Sequence, residues 1–150
     1  MNLQEYKGSL EEIKVLQKKS WGSLKSSKIL LNTGEFADSI SRSYYAILHA
    51  ARALLLSEGY FAKTHDGVIT LFSLKFIKTH KIDARYVRIF KEAERDRIDA
   101  DYRFLEEFTK QDAESVHKKA EEFVKMADKF LSVKLKGRKR NSIDIRGMLW

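Results

Sequence analysis

Residues 35–59, EFADSISRSYYAILHAARALLLSEG, carry the most legible pattern in this 150-residue chain. Phe36, Ile40, Tyr44, Ile47, Leu48, Ala51, Leu54 and Leu55 recur with the 3.6-residue period of an α-helix and stop at Gly59, so a helix is expected from about Glu35 to Glu58. Phe36, Ile40, Ile47 and Ala51 mark the centre of its apolar face. Nearly opposite lie Asp38, Arg42, Tyr45, His49, Arg52 and Leu56. A stripe so rich in cations and rings suits a partner or a substrate better than plain water.

Working outward, the flanking segments keep the same period. Upstream, a helix is expected from about Ser9, which has capping-box spacing to Glu12, as far as Asn32, with Leu10, Ile13, Leu24 and Leu31 on one stripe; Leu3 and Tyr6 would extend it earlier. Gly34 then supplies the residue that commonly takes the left-handed conformation after a helix. Downstream, Thr64 is a candidate cap for a third helix reaching about His80. Val68, Ile69, Leu71, Phe72, Leu74, Phe76 and Ile77 surround most of that helix, which predicts a central position. A fourth helix is expected from about Asp83 to Asp101, apolar at Tyr86, Ile89, Phe90 and Ala93. A fifth, from about Gln111 to Leu135, places Ala113, Val116, Ala120, Phe123, Val124, Ala127 and Leu131 on one side. No stretch alternates as a strand would, and no solenoid-length repeat is visible. The expected fold is all-α, an antiparallel up-and-down bundle of four to five helices over residues 1–135, followed by a basic C-terminal tail at 136–150.

Composition points the same way. Proline is absent, as long helices require, and so is cysteine, which removes disulfides, thiolate metal sites and a cysteine nucleophile together. No apolar run approaches the ~18 residues of a membrane span, and the N-terminus lacks a signal-like apolar core, so a cytoplasmic protein away from the membrane is expected. The net charge of +8 is uneven: residues 134–150 hold six Lys or Arg and one Asp, a net of +5, which leaves +3 for the rest. The basic tail reads either as a solvated end or as a phosphate-binding arm, and Met148, Leu149 and Trp150 suggest that its extremity docks.

SRSYYAILHAARALLLSEGY at 41–60, KTHDGVITLFSLKFIKTH at 63–80 and RIDADY at 97–102 together resemble the HEPN family, in particular its short stand-alone prokaryotic members. The likeness runs from about Glu35 to Tyr102, with the outer helices matching in pattern rather than in wording. The family's signature is an Arg and a His on one helix separated by four to six residues; Arg42 and His49 are separated by six, SYYAIL. The resemblance implies metal-independent RNA cleavage, with His49 as general acid–base and Arg42 as phosphate clamp. Tyr45 and Arg52, on the same stripe, are the candidate substrate-binding residues. Imidazole titrates near neutrality, and guanidinium offers phosphate a bidentate fork. Seven residues of helix separate Arg42 from His49 by roughly 10 Å along the axis, which favours a composite site in a homodimer, as the family forms. A family variant carries a tyrosine two residues after the His as the target of a partner nucleotidyltransferase; Ala51 stands there, so that control is in doubt.

Other features carry less. His65 matches a recurrent loop of the family but also reads as part of a helix-start turn capped by Thr64. Glu92, Glu94, Asp96, Asp99 and Asp101 alternate with Arg95 and Arg97 and read as a solvated, ion-paired face rather than a cation site. His80 and His117 have no partner at metal-ligand spacing, and no metal or cofactor is assigned. Three functions remain open on these residues. The first is a ribonuclease toxin restrained by a cognate nucleotidyltransferase antitoxin. The second is a non-catalytic, RNA- or nucleotide-binding accessory subunit of a minimal nucleotidyltransferase. The third is a dimeric scaffold.

Overall fold

The computed structural model describes residues 3–146 other than 104 and 106, with side chains described from 10 to 137. Among the described residues five α-helices follow in order: α1 Leu3–Asn32, α2 Phe36–Ser57, α3 His65–Phe72, α4 Arg85–Tyr102 and α5 Lys110–Arg146. A π-helical turn, Ser73–Ile77, continues α3. None of the described helices is long and apolar enough to cross a membrane.

The stops and starts are chemical. Gly34 takes φ 85° and Gly59 φ 83°, so each occupies the left-handed position that a side chain disfavours just after α1 and α2. The Thr64 hydroxyl accepts the Gly67 amide at 2.9 Å, capping α3 as its position suggested. A Cβ on Gly67 would lie only 2.9 Å from that hydroxyl. Thr109 and Asp112 bond each other's amides, at 3.1 and 2.9 Å, and open α5 with a reciprocal cap. The start of α1 is the earlier alternative, Leu3, which leaves Ser9 inside the helix instead of capping it.

Cross-helix partners give the directions. Ser20 donates to the Ala46 carbonyl at 2.7 Å and Ser27 meets Ser39 and Ser43, so α1 and α2 run antiparallel. Trp21 reaches Asp128 while Ser27 reaches His117, which sets α5 antiparallel to α1. Ser41 with Asp101 and Tyr44 with Arg97 do the same for α2 and α4. The result is the expected up-and-down bundle, with α3 as a short fifth member.

The centre is α2, which packs against α1, α3, α4 and α5. This corrects the expectation that the third helix is central. Val68, Ile69, Phe72 and Phe76 are buried, but Leu74 is 41% exposed, and the segment covers one flank of the bundle. Its all-round apolar character reflects outlying side chains that meet only part of a neighbour. On α2, Ile40, Ile47 and Ala51 are buried as expected, while small residues, Ser39, Ser43, Ala46, Ala50 and Ala53, let neighbouring backbones approach on the remaining faces. Phe72, Phe90 and Phe123, from α3, α4 and α5, pack with ring centroids 5.4–6.0 Å apart.

At the C-terminal end α5 continues beyond the expected Leu135, so the basic residues 136–146 lie on a continuation of this helix. Among the described residues the last fully buried side chain is Leu131. Without proline the backbone propagates although no apolar stripe remains to bury. The docking expected of Met148, Leu149 and Trp150 falls outside the described residues.

Phe123 joins three elements through its ring and is fully buried. Phe123→Ala is expected to cost about 3–5 kcal/mol, read from urea denaturation followed by circular dichroism. A loss below about 1 kcal/mol would show that this aromatic cluster is not the core's centre.

Candidate active site

Because α2 is covered on most sides, one strip of it stays accessible. Asp38 and Arg42 are exposed there, and Tyr45, His49, Arg52 and Leu56 are half-buried. The strip is therefore the stripe read from the sequence, but its margins are not open solvent. Tyr45 and Leu56 pack partly onto the core cluster.

Tyr45 lies between the two signature residues. The Arg42 guanidinium carbon stands 4.9 Å from the Tyr45 ring centroid, a cation–π contact, and the His49 ring centroid is 6.3 Å from the same ring. His49 Nδ1 is buried without a hydrogen-bond partner. Burial is the main reason its pKa falls to about 4; the charges of Lys19, Arg52 and Arg42 push the same way, as does His65. At neutral pH the imidazole is uncharged, with one ring nitrogen able to accept a proton. Burial and the surrounding cations hold this imidazole neutral, and an anionic ligand that offsets those charges raises its basicity toward the range suited to proton abstraction.

Arg52 leans toward the segment between α2 and α3, where its Nη2 donates to the Lys63 carbonyl at 3.5 Å, and its buried Nε has no partner. That segment delivers His65, the first residue of α3. The His65 ring packs 5.7 Å from Tyr44 and 6.1 Å from Tyr45, centroid to centroid. Its pKa is lowered by burial first, then by Arg97 and Arg52, against an opposing contribution from Asp66. From α4, the Arg97 guanidinium sits 5.0 Å from the Tyr44 ring, is bound by Asp101 at 3.3 Å, and keeps a side chain only 12% exposed. Asp101 also accepts from Ser41 at 2.8 Å, tying α4 to α2. Nearby, Glu94 and Asp66 share a hydrogen bond, and burial, followed by the Asp66 charge, raises the Glu94 pKa.

Arg42, Tyr45, His49 and Arg52, the candidates on the sequence stripe, all lie along this strip. His65 opens the turn that Thr64 caps, as expected, and also packs beside this strip, whereas Arg97, expected on a solvated face, is largely buried. A signal for Arg97 was available: it falls seven residues after Phe90 and four after Ala93, on the apolar face of its helix. The rest of the acidic run behaves as expected, with Glu92 paired to Lys119 and Asp99 to Arg103 at 3.3 and 3.1 Å. Among the described residues no group of three or more His, Cys, Asp or Glu side chains is arranged to hold a metal ion. His80 lies in the turn that follows Ile77, with φ 59°, and His117 is buried against Ser27 at 3.0 Å. Ala51, two residues beyond His49, is fully buried.

Comparison with known proteins adds a relationship. The HEPN domain model matches residues 13–130. Two proteins of Methanocaldococcus jannaschii, each named "putative toxin", are similar to this chain. One is 38% identical over 121 residues, covering 81% of this chain and 90% of the relative. The other is 34% identical over 139 residues, covering 91% and 92%. A UPF0332 protein of Thermotoga maritima is 30% identical over 108 residues, covering 72% and 82%.

The histidine assignment can be read directly. In an NMR titration His49 should stay neutral as pH falls from 7 to 5 and protonate near 4, against an ordinary value near 6.5. Because the folded pKa lies below the unfolded one, stability is lost as pH falls through the window from 6.5 to 4. His49→Gln should lose less over that window than the wild type, measured as melting temperature against pH. An ordinary midpoint for His49 would overturn the buried, cation-flanked description.

Proposed function

Since the chain belongs to the HEPN family, we propose that it is a toxin-like, metal-independent ribonuclease acting as a homodimer and restrained in the cell by a cognate antitoxin. The observation that carries this reading is the half-buried, neutral His49, flanked by Arg42 and Arg52 on one accessible strip. The names of the Methanocaldococcus jannaschii relatives support its toxin side.

In this scheme the neutral His49 accepts the proton of a ribose 2′-hydroxyl. The 2′-oxygen then forms a bond to phosphorus while the bond from phosphorus to the 5′-oxygen breaks, giving a 2′,3′-cyclic phosphate and a 5′-hydroxyl. Arg42 is exposed and holds non-bridging phosphate oxygens, where a planar fork of donors is most effective. Tyr45 offers a ring face on which a base stacks, and Arg52 attracts the backbone. A second copy facing the strip brings its own Arg42 and His49 to the same phosphate. This answers the axial separation of about 10 Å within one helix.

Arg42→Ala and His49→Ala are each expected to reduce cleavage of a mixed RNA pool by at least about 10²-fold and to relieve growth inhibition, with little change in helical content. Chelator should leave wild-type cleavage unchanged, because the proton transfers need only imidazole. A partner-free wild type that cleaves nothing, or a His49→Ala variant as active as wild type, would sink the nuclease reading and promote the accessory-subunit one.

The dimer is tested separately. Light scattering at tens of micromolar should give twice the chain mass, and Leu56→Glu, on the accessible strip, should shift it toward the monomer. A wild-type monomer removes the composite site.

A further inference from the structure

The proposed reaction needs two proton transfers, and His49, held neutral in both copies of the dimer, supplies a base but no proton donor. The 5′-oxygen leaves poorly as an alkoxide and must be protonated as its bond to phosphorus breaks. Within one chain, the side chain placed for this task is a second imidazole. His65 packs on the Tyr45 ring at 6.1 Å, and His49 lies 6.3 Å from that same ring, so one tyrosine is flanked by both histidines. The two histidines arrive from different elements, α2 and the start of α3. Their juxtaposition is held by the Thr64 cap at 2.9 Å and by the Arg52 bond to the Lys63 carbonyl.

We propose that His65 is a second catalytic residue of this site, the general acid that protonates the 5′-oxygen while His49 takes the 2′-proton, and that Arg97 is its positioning residue. The inference rests on the ribonuclease reading above. Protons balance over the cycle: one passes from the 2′-hydroxyl to His49, one from protonated His65 to the leaving oxygen, and exchange with water restores both rings.

The surroundings suit the role. His65 faces Arg52 from α2 and Arg97 from α4, cations that disfavour its protonated form in the free protein, while Asp66 favours it. A phosphodiester lodged against these guanidiniums adds negative charge and offsets their effect, so binding itself arms the acid. His49 faces Lys19 from α1 in addition to Arg42 and Arg52, which keeps it the more firmly neutral base. The buried Nε of Arg97 has no partner, its Nη1 bonds Asp101, and its guanidinium lies over the Tyr44 ring against which His65 also packs.

A leaving-group experiment separates the two histidines. The probe is a short oligonucleotide with one ribonucleotide at a site that wild type cuts, carrying either the normal 5′-oxygen or a 5′-bridging sulfur, whose thiolate leaves without an acid. On the oxygen substrate, His65→Ala and His65→Gln should each lower kcat by about 10²- to 10⁴-fold. On the sulfur substrate they should come within a fewfold of wild type, whereas His49→Ala should stay defective on both. His65→Gln retains a polar side chain beside Tyr44 and Tyr45 and is the variant read if His65→Ala melts early. Arg97→Lys should shift the alkaline limb of the kcat profile without removing it. His65 variants within threefold of wild type on the oxygen substrate, with His49→Ala inactive, overturn this inference and leave the ribonuclease reading standing. Equal defects on both substrates overturn the acid role. A wild type that cleaves neither overturns both.

Discussion

The burial of α2 on almost every side is the constraint from which the rest of the structure follows. A helix surrounded by four others cannot carry large side chains all round, and Ser39, Ser43, Ala46, Ala50 and Ala53 meet this limit with little volume. The serines then need partners. Ser20 finds the Ala46 carbonyl at 2.7 Å, and Ser27 joins Ser39, Ser43 and His117 in a buried cluster linking α1, α2 and α5. Such networks specify one arrangement of helices because each polar group left unmatched would cost on the order of 1–3 kcal/mol.

A ligand can reach α2 only along what its neighbours leave uncovered. The accessible strip is narrow, and its polar residues are half-buried rather than free, so electrostatic effects there are stronger than on an open helix face. Arg42 is offset by the face of Tyr45, and Arg97 by Tyr44 and Asp101, while His49 responds to burial and nearby cations by remaining neutral. Cationic surroundings with neutral imidazoles make a poor resting environment for a proton and a favourable one for an anion.

The aromatic core reaches this strip from behind. Phe72 and Phe90 hold α3 and α4 against Phe123 of α5, and Phe90 also lies 6.3 Å from Tyr44. Their packing sets where α3 begins and how α4 turns, and so where His65 and Arg97 emerge. The positions of two polar side chains thus depend on hydrophobic contacts on the far side of the same helices.

Much of this was legible in the amino-acid order alone. Periodicity located the helices, Gly34 and Gly59 marked their stops, Thr64 marked a start, and the seven-residue step from Arg42 to His49 put both on one stripe, because these depend on local geometry within a few turns of chain. The end of α5 was less legible, since the apolar pattern reports burial and the backbone of 136–146 stays helical without it. The central role of α2 and the gathering of His65 and Arg97 around Tyr44 and Tyr45 belonged to tertiary structure. A hydrophobic period tells which face of a helix is buried but not which helix buries it, and Arg97 meets Tyr44 only because α4 packs antiparallel against α2.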